Sequence, residues 1–210
     1  MKHYKANILN LFNRCTPDEV RANRGWYNEA HQFAQRIAEK YSMETFVVAG
    51  IIAAISPAVN WEQNKVDAEA FISTFKRTSN VPNGICTTYR NNVLKALKIA
   101  KTDVSNRDLA IKTIYSILLG KQKQGNKTAS FFMNIAFPEY PAHVTIDRHS
   151  YRVAMGGEGE RGAIRVNIKA YREISNAYLK ASKQTTLTAV ELQAVTWCKY
   201  KNELTKEVPF

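Results

Sequence analysis

The sequence predicts an all-α protein of about nine or ten helices. Three observations predict this class: apolar residues recur at helical spacing, helix-capping motifs precede the apolar segments, and no long polar–apolar alternation indicates a strand. The chain has 210 residues, of which 45% are hydrophobic and 23% are charged. This composition is typical of a folded globular protein and excludes a disordered chain.

The predicted helices follow one another along the chain. In order, they cover residues 17–41, 43–55, 61–76, 89–101, 106–120, 127–137, 147–155, 167–181 and 189–201. Thr16-Pro17-Asp18-Glu19 opens the first helix as a capping box with proline at the first helical position. Ser42 is the expected cap of the second helix. Ser56-Pro57 ends that helix, because a residue before proline avoids the helical region.

Caps and breakers also mark the later helices. Asn60 is the expected cap of the third helix, and Pro82-Asn83-Gly84 indicates a loop after it. Ser105-Asn106-Arg107-Asp108 and Thr188-Ala189-Val190-Glu191 are two further capping boxes. A glycine-rich, charged loop is expected at residues 156–162.

The charge balance indicates a polyanionic partner. Lys and Arg number 30 against 18 Asp and Glu, which gives a net charge of +12. Nucleic acid is the commonest polyanion that such a surface attracts. A generally basic protein without a nucleic-acid partner is the alternative, and charge alone does not decide between the two.

The cysteines and the N-terminal segment predict an intracellular protein. Cys15, Cys86 and Cys198 lie far apart, so neither zinc-ligand nor iron–sulfur spacing is present and three buried thiols are expected. No signal peptide is recognised at the N-terminus, and the apolar run Phe46–Ile55 is too short for a membrane span. We expect a cytoplasmic monomer, associated with the nucleoid or present in an infected host cell, with no metal and no cofactor.

A candidate phosphate-binding turn lies between two predicted helices. One helix ends near Gly120, and Gly125 directly precedes the next. Helices joined in this way direct backbone N–H groups and the positive end of a helix dipole at one phosphate. Lys121, Lys123 and Lys127 add positive charge to this turn.

A candidate carboxylate follows this turn. Asp147 lies twenty positions after Lys127, behind the apolar segment Val144-Thr145-Ile146. An acidic residue at a helix N-terminus is stabilised as the carboxylate by the helix dipole. A simple helix cap is the alternative interpretation of Asp147.

Together these segments resemble the helix-hairpin-helix DNA glycosylase superfamily, the group that contains endonuclease III. Its members carry a hairpin ending in Gly-x-Lys-Thr-Ala, an apolar helix, and then an Asp-Thr-His…Arg segment. This chain has Gly125-Asn126-Lys127-Thr128-Ala129, followed by Asp147, His149 and Arg152. Asn64-Lys65-Val66-Asp67-Ala68 is similar to an upstream helix of the family.

The resemblance extends over residues 46–155, and the chain departs from the family in three places. Lys123 replaces the first glycine of the hairpin. Pro57 or Ala58 stands where many members have a glutamine. The cysteines that hold an iron–sulfur cluster in many members are absent after residue 155, so the resemblance is to a divergent member without that cluster.

The resemblance implies a fold and an activity. The fold would have two helical lobes with a catalytic cleft between them, one lobe of about residues 42–125 and the other of residues 1–41 with 126–210. The activity would be excision of a damaged, mismatched or modified base flipped out of double-stranded DNA. Asp147 would stabilise the sugar cation or deprotonate the nucleophile, which is either water or an amine. Lys127 would be that amine in a glycosylase with lyase activity, and a phosphate contact alone is the alternative role of Lys127.

Further residues are assigned on the same basis. The residues expected to contact DNA are Lys121, Lys123, Gly125, Asn126, Thr128, Arg148, His149, Arg152, Asn60 and Asn64. The expected walls of the base pocket are Trp26, Trp61 and Tyr115, although each is also a plausible core aromatic. Two alternatives stay open: a base-modifying transferase on this scaffold, as in the hypermodified thymine pathway of bacteriophages, and a non-catalytic DNA-binding module.

Overall fold

In a computed structural model, the protein is built from α-helices, and its described residues contain no strand. The structure describes residues 3–81, 83–120, 126–140, 142–157 and 166–206. Eleven helices lie within these ranges. The predicted all-α class is therefore confirmed.

The helices are numbered in chain order. The first six are α1 (Tyr4–Phe12), α2 (Pro17–Arg24), α3 (Trp26–Tyr41), α4 (Thr45–Ile55), α5 (Trp61–Thr78) and α6 (Arg90–Ala100). The other five are α7 (Arg107–Leu119), α8 (Asn126–Ala136), α9 (Arg148–Ala154), α10 (Ile168–Ser182) and α11 (Ala189–Lys206). None of the described helices is long and apolar enough to cross a bilayer.

Local capping signals predicted several helix starts correctly. Thr16 accepts a hydrogen bond from the Glu19 N–H, and the Glu19 carboxylate accepts one from the Thr16 N–H, which completes the capping box of α2. Asn60 accepts from the Gln63 N–H at the start of α5. The prediction was confirmed at these sites because a cap needs only residues adjacent in sequence.

Other predicted boundaries were wrong. The continuous helix over residues 17–41 is two helices, since Gly25 ends α2 and its carbonyl accepts the first bond of α3. Ser42 does not cap α4; it has a φ of 48° and closes α3, where the Met43 N–H donates to the Ala38 carbonyl. Helix α1 was not predicted.

The capping box predicted at residues 105–108 is shifted by one position. Asn106, rather than Ser105, caps α7 by accepting from the Leu109 N–H at 3.0 Å. The Ser105 hydroxyl instead donates to Asp103 Oδ2 at 3.0 Å. Two adjacent residues that can both cap make such a register ambiguous from sequence.

The chain divides into two compact units. Unit 1 contains residues 1–29 and 139–210, and unit 2 contains residues 30–138. The first boundary falls within α3, and the second follows α8. The sequence-based lobes had their boundaries at residues 41/42 and 125/126.

The core of unit 2 surrounds α4. Residues 46–55 of this helix are all buried, and α4 packs against α5, α6, α7 and α8. Gly50 allows α7 to approach α4 closely, because a Cβ built there would lie 2.7 Å from Ile114 Cγ2 of α7. A helix that is apolar on every side is expected at the centre of such a bundle.

The core of unit 1 is formed by α1, α9, α10 and α11. Ile8, Ile174 and Tyr178 are fully buried in it. The Tyr171 hydroxyl donates to the Val144 carbonyl at 2.8 Å and accepts from the Ile146 N–H at 3.3 Å. These bonds hold the segment that leads into α9, and thereby determine the position of Asp147.

Candidate functional site

Asp147 caps α9, and both of its carboxylate oxygens accept hydrogen bonds. Oδ1 accepts from the backbone N–H groups of His149 at 2.9 Å and Ser150 at 2.8 Å. Oδ2 accepts from Nε1 of the Trp197 indole at 2.9 Å. Donors of this kind favour the charged form of a carboxylate and fix its orientation.

A buried polar network attaches the start of α9 to α11. Gln193 Nε2 donates to Ser150 Oγ at 3.0 Å, and Gln193 Oε1 accepts from the Tyr27 hydroxyl at 2.9 Å. Ser150 Oγ in turn donates to the Thr145 carbonyl at 3.4 Å. Ser150, whose backbone N–H donates to Asp147, is therefore held by residues of three separate chain segments.

Trp197 belongs to an aromatic group beside Asp147. Its ring centroid is 6.1 Å from that of Trp26 and 6.1 Å from that of His149, and Lys201 Nζ lies 4.4 Å from the ring centroid. Sequence reasoning missed Trp197 and Lys201. No motif connects α11 with Asp147, which lies fifty positions earlier in the chain.

His149 contacts Trp197 and is half-buried. Burial lowers the pKa of its imidazole, the Asp147 carboxylate raises it, and the cations Arg148, Lys201 and Arg152 lower it. His149 Nε2 accepts from Arg148 Nε at 3.2 Å, while Nδ1 has no hydrogen-bond partner among the described residues. The lowered pKa favours a neutral imidazole at pH 7, which can form hydrogen bonds but carries no charge.

The two arginines predicted to contact DNA differ in exposure. Arg148 is exposed at the start of α9. Arg152, one turn later, is only 9% exposed. Arg148 is therefore the more accessible of the two for a phosphate contact.

The predicted hairpin is described only on its two flanks. Lys121, Lys123 and Gly125 lie outside the described residues, and Asn126 is the first residue of α8. The Thr128 hydroxyl donates to the Leu118 carbonyl of α7 at 3.3 Å, so this side chain joins the two helices. Lys127 is half-buried in the first turn of α8.

Asn60 and Asn64 lie in different surroundings on α5. Asn60 is exposed and caps the helix. Asn64 is 1% exposed, and its Nδ2 donates to the Ile52 carbonyl of α4 at 3.4 Å. The Asn64 side chain is therefore turned into the core, and its contact with DNA stays a prediction.

The three aromatic residues predicted for the base pocket are divided between the units. Trp26 lies in unit 1, in T-shaped contact with Tyr27 at 5.0 Å between ring centroids. Trp61 and Tyr115 lie in unit 2, and burial raises the pKa of the Tyr115 phenol. Asp147 belongs to unit 1 and Lys127 to unit 2. Among the described residues, no group of three or more His, Cys, Asp or Glu side chains could hold a metal ion.

Comparison with known proteins assigns the chain to a family. A protein-family model described as a family of unknown function (DUF7178) matches residues 1–204. The chain belongs to this family. The match includes residues of both units. No curated protein matches the chain. No solved structure matches it either.

Proposed function

We propose that the protein is a DNA glycosylase with lyase activity, which excises a damaged, mismatched or modified base flipped out of duplex DNA. The observation that carries this proposal is the Asp147 carboxylate, fixed by two backbone N–H groups and the Trp197 indole. It lies in the segment whose spacing to Lys127 resembles the glycosylase pattern. The net charge of +12 suits a polyanionic substrate.

Asp147 would act through its charge. Breaking an N-glycosidic bond develops positive charge on the sugar, and an adjacent carboxylate stabilises that charge. A carboxylate that is already oriented needs no rearrangement when this charge develops. The hydrogen bonds to Asp147 provide such preorganisation.

Lys127 would supply the nucleophile. Its neutral amine attacks C1′ of the sugar, and the base leaves with the bonding electron pair and takes up a proton. The attached nitrogen then gives one proton to the ring oxygen O4′ as the C1′–O4′ bond breaks, which opens the sugar ring and leaves a protonated Schiff base. Removal of a C2′ proton expels the 3′ phosphate and cleaves the strand.

The test is a panel of duplexes, each carrying one lesion or modified base, scored for base release, nicking and a borohydride-trapped adduct. Wild-type protein is expected to release one class of base and to form the adduct. Lys127→Gln abolishes the adduct, and Asp147→Asn lowers base release by about a hundred-fold or more, as for loss of a preorganised electrostatic group. Lys112→Gln and Asp103→Asn, at exposed positions, are the matched controls.

Three outcomes contradict the proposal. Duplex binding without any product from the whole panel indicates a non-catalytic binding module. A retained base of altered mass indicates a base-modifying transferase. Unchanged base release in both Lys127→Gln and Asp147→Asn removes these residues from the chemistry.

A further inference from the structure

Three aromatic rings from three helices meet in unit 2. These rings, which we call the Trp61 cluster, are Phe33 of α3, Trp61 of α5 and Phe131 of α8. The Trp61 ring centroid is 6.1 Å from that of Phe33 and 6.5 Å from that of Phe131, with interplanar angles of 75° and 82°. All three residues are partly exposed, whereas the adjacent Ala34 and Phe132 are fully buried. The cluster therefore extends from the core to the surface.

Two cations lie over the rings of the Trp61 cluster. The Arg36 guanidinium carbon is 6.0 Å from the Phe33 centroid, and Lys65 Nζ is 5.8 Å from the Trp61 centroid. Lys65 also pairs with Glu62 at 2.9 Å, and the Glu62 side chain is 79% exposed. An exposed pair of this kind contributes little free energy, so Lys65 can exchange Glu62 for a phosphate.

Lys127 lies on the same side of α8 as the third ring of the cluster. It precedes Phe131 by four positions, and residues at this spacing share one face of a helix. Both residues are partly exposed, while Ala129 and Ser130 between them are buried. The amine assigned to the lyase reaction thus shares a partly exposed helix face with an aromatic ring.

Rings flanked by cations match the chemistry of an unpaired nucleotide. A base stacks on an aromatic face whatever its identity, and the adjoining phosphates bind Arg and Lys. We infer that the Trp61 cluster, with Arg36 and Lys65, binds unpaired nucleotides of a DNA strand. The inference rests on the proposed glycosylase function and deepens it, because base excision requires a nucleotide outside the duplex stack.

The first test measures binding of a fluorescein-labelled oligothymidylate by anisotropy, with no reaction scored. Trp61→Leu is expected to weaken binding by roughly ten-fold, the loss typical of one stacked base, and Trp61→Phe by about two-fold or less because a ring remains. Tyr89→Leu is the matched control, since Tyr89 is an aromatic residue of unit 2 with 70% exposure outside the cluster. It is expected to bind like wild type.

The second test probes the cations through salt dependence. Arg36→Gln and Lys65→Gln each remove one phosphate contact, which lowers the slope of log affinity against log salt by about 0.7 for a single strand. Arg77→Gln, an exposed cation near the C-terminal end of α5, is expected to leave the slope unchanged. These surface variants keep the test valid if Trp61→Leu fails to fold.

Two results overturn the inference. One is the absence of oligothymidylate binding by the wild type. The other is wild-type affinity in Trp61→Leu together with a lower urea midpoint, which makes the cluster a packing feature alone. Failure of the glycosylase proposal has a different signature: oligothymidylate binding persists while Asp147→Asn and Lys127→Gln change no product.

Discussion

Asp147 uses its two oxygens for two different structural purposes. Oδ1 satisfies backbone N–H groups that every helix start leaves unpaired, and Oδ2 accepts from the Trp197 indole fifty positions away. A side chain with a single acceptor oxygen cannot serve both. Aspartate at this position therefore connects a local helix cap with a long-range contact to α11.

Trp197→Phe tests the hydrogen bond between the Trp197 indole and Asp147 Oδ2. The substitution removes the indole N–H and keeps an aromatic ring, so a hydrogen bond to a charged group is lost. We expect the free energy of unfolding in urea to fall by about 1.5–3 kcal/mol, the range for hydrogen bonds to charged groups. Trp26→Phe is the control, as it changes a second ring of the same aromatic group and keeps the indole N–H of Trp197.

A double-mutant cycle with Asp147→Asn separates the bond from lost packing. The coupling energy should be about 1 kcal/mol or more if the indole and the carboxylate stabilise each other. Additive effects of the two substitutions would show that Trp197 contributes only by packing.

The loop between α5 and α6 is held by one buried carboxylate. Asp67 is only 2% exposed. Its Oδ2 accepts hydrogen bonds from the Thr87 N–H at 2.8 Å and from the Thr87 hydroxyl at 2.7 Å. Its Oδ1 accepts one from Gln63 Nε2 at 2.8 Å. Thr88 adds a bond from its hydroxyl to the Pro57 carbonyl at 3.0 Å. These side-chain hydrogen bonds stabilise the loop, because a loop lacks the regular backbone–backbone hydrogen bonds of a helix or sheet.

Asp67→Asn is expected to loosen this loop. An amide that keeps its oxygen toward Gln63 turns its own N–H groups toward the Thr87 donors, which leaves buried polar groups unsatisfied. The loss should be about 2–4 kcal/mol in the free energy of unfolding, with faster hydrogen exchange at the Thr87 amide. Asp103→Asn is the exposed control; equal losses in both variants would contradict the anchoring role of Asp67.

At the scale of the whole molecule, unit 1 carries two histidines whose pKa is lowered by burial. Burial lowers the pKa of His143 and is the largest effect on His149 as well. A lowered folded-state pKa means that the unfolded chain binds more protons than the folded chain near pH 6. Both residues therefore stabilise the folded protein at pH values above about 6.5, the pKa of histidine in the unfolded chain. This stability is lost as the pH falls toward the lower pKa values of the folded state.

Acidification should accordingly destabilise the protein before its carboxylates titrate. Thermal midpoints should decrease between about pH 7.5 and pH 5.5, where a histidine of ordinary pKa changes its charge. His149→Gln and His143→Gln should each reduce this decrease, while His3→Gln, at an exposed position, should not. An identical decrease in all four proteins would assign the acid sensitivity to other groups.

Much of this fold can be predicted from residues that are close together in the sequence. Capping at Thr16 and Asn60, and the placement of Asp147 at a helix start, depend on hydrogen bonds between residues at most three positions apart. Helical spacing of apolar residues gives the all-α class for a similar reason, since the repeat is read within a few turns. The predicted helix boundaries are wrong where two local signals compete: Ser42 can cap a following helix, but it closes α3 instead of opening α4.

Contacts between residues far apart in the sequence form only when the chain folds, and the spacing of these residues in the sequence does not predict them. Trp197 reaches Asp147 only because α11 packs against α9, and Asn64 is buried only because α5 packs on α4. The Trp61 cluster likewise needs three helices to meet. The physical reason is that burial and side-chain contacts depend on the packing of whole helices, whereas caps and periodicity depend on neighbours along the chain.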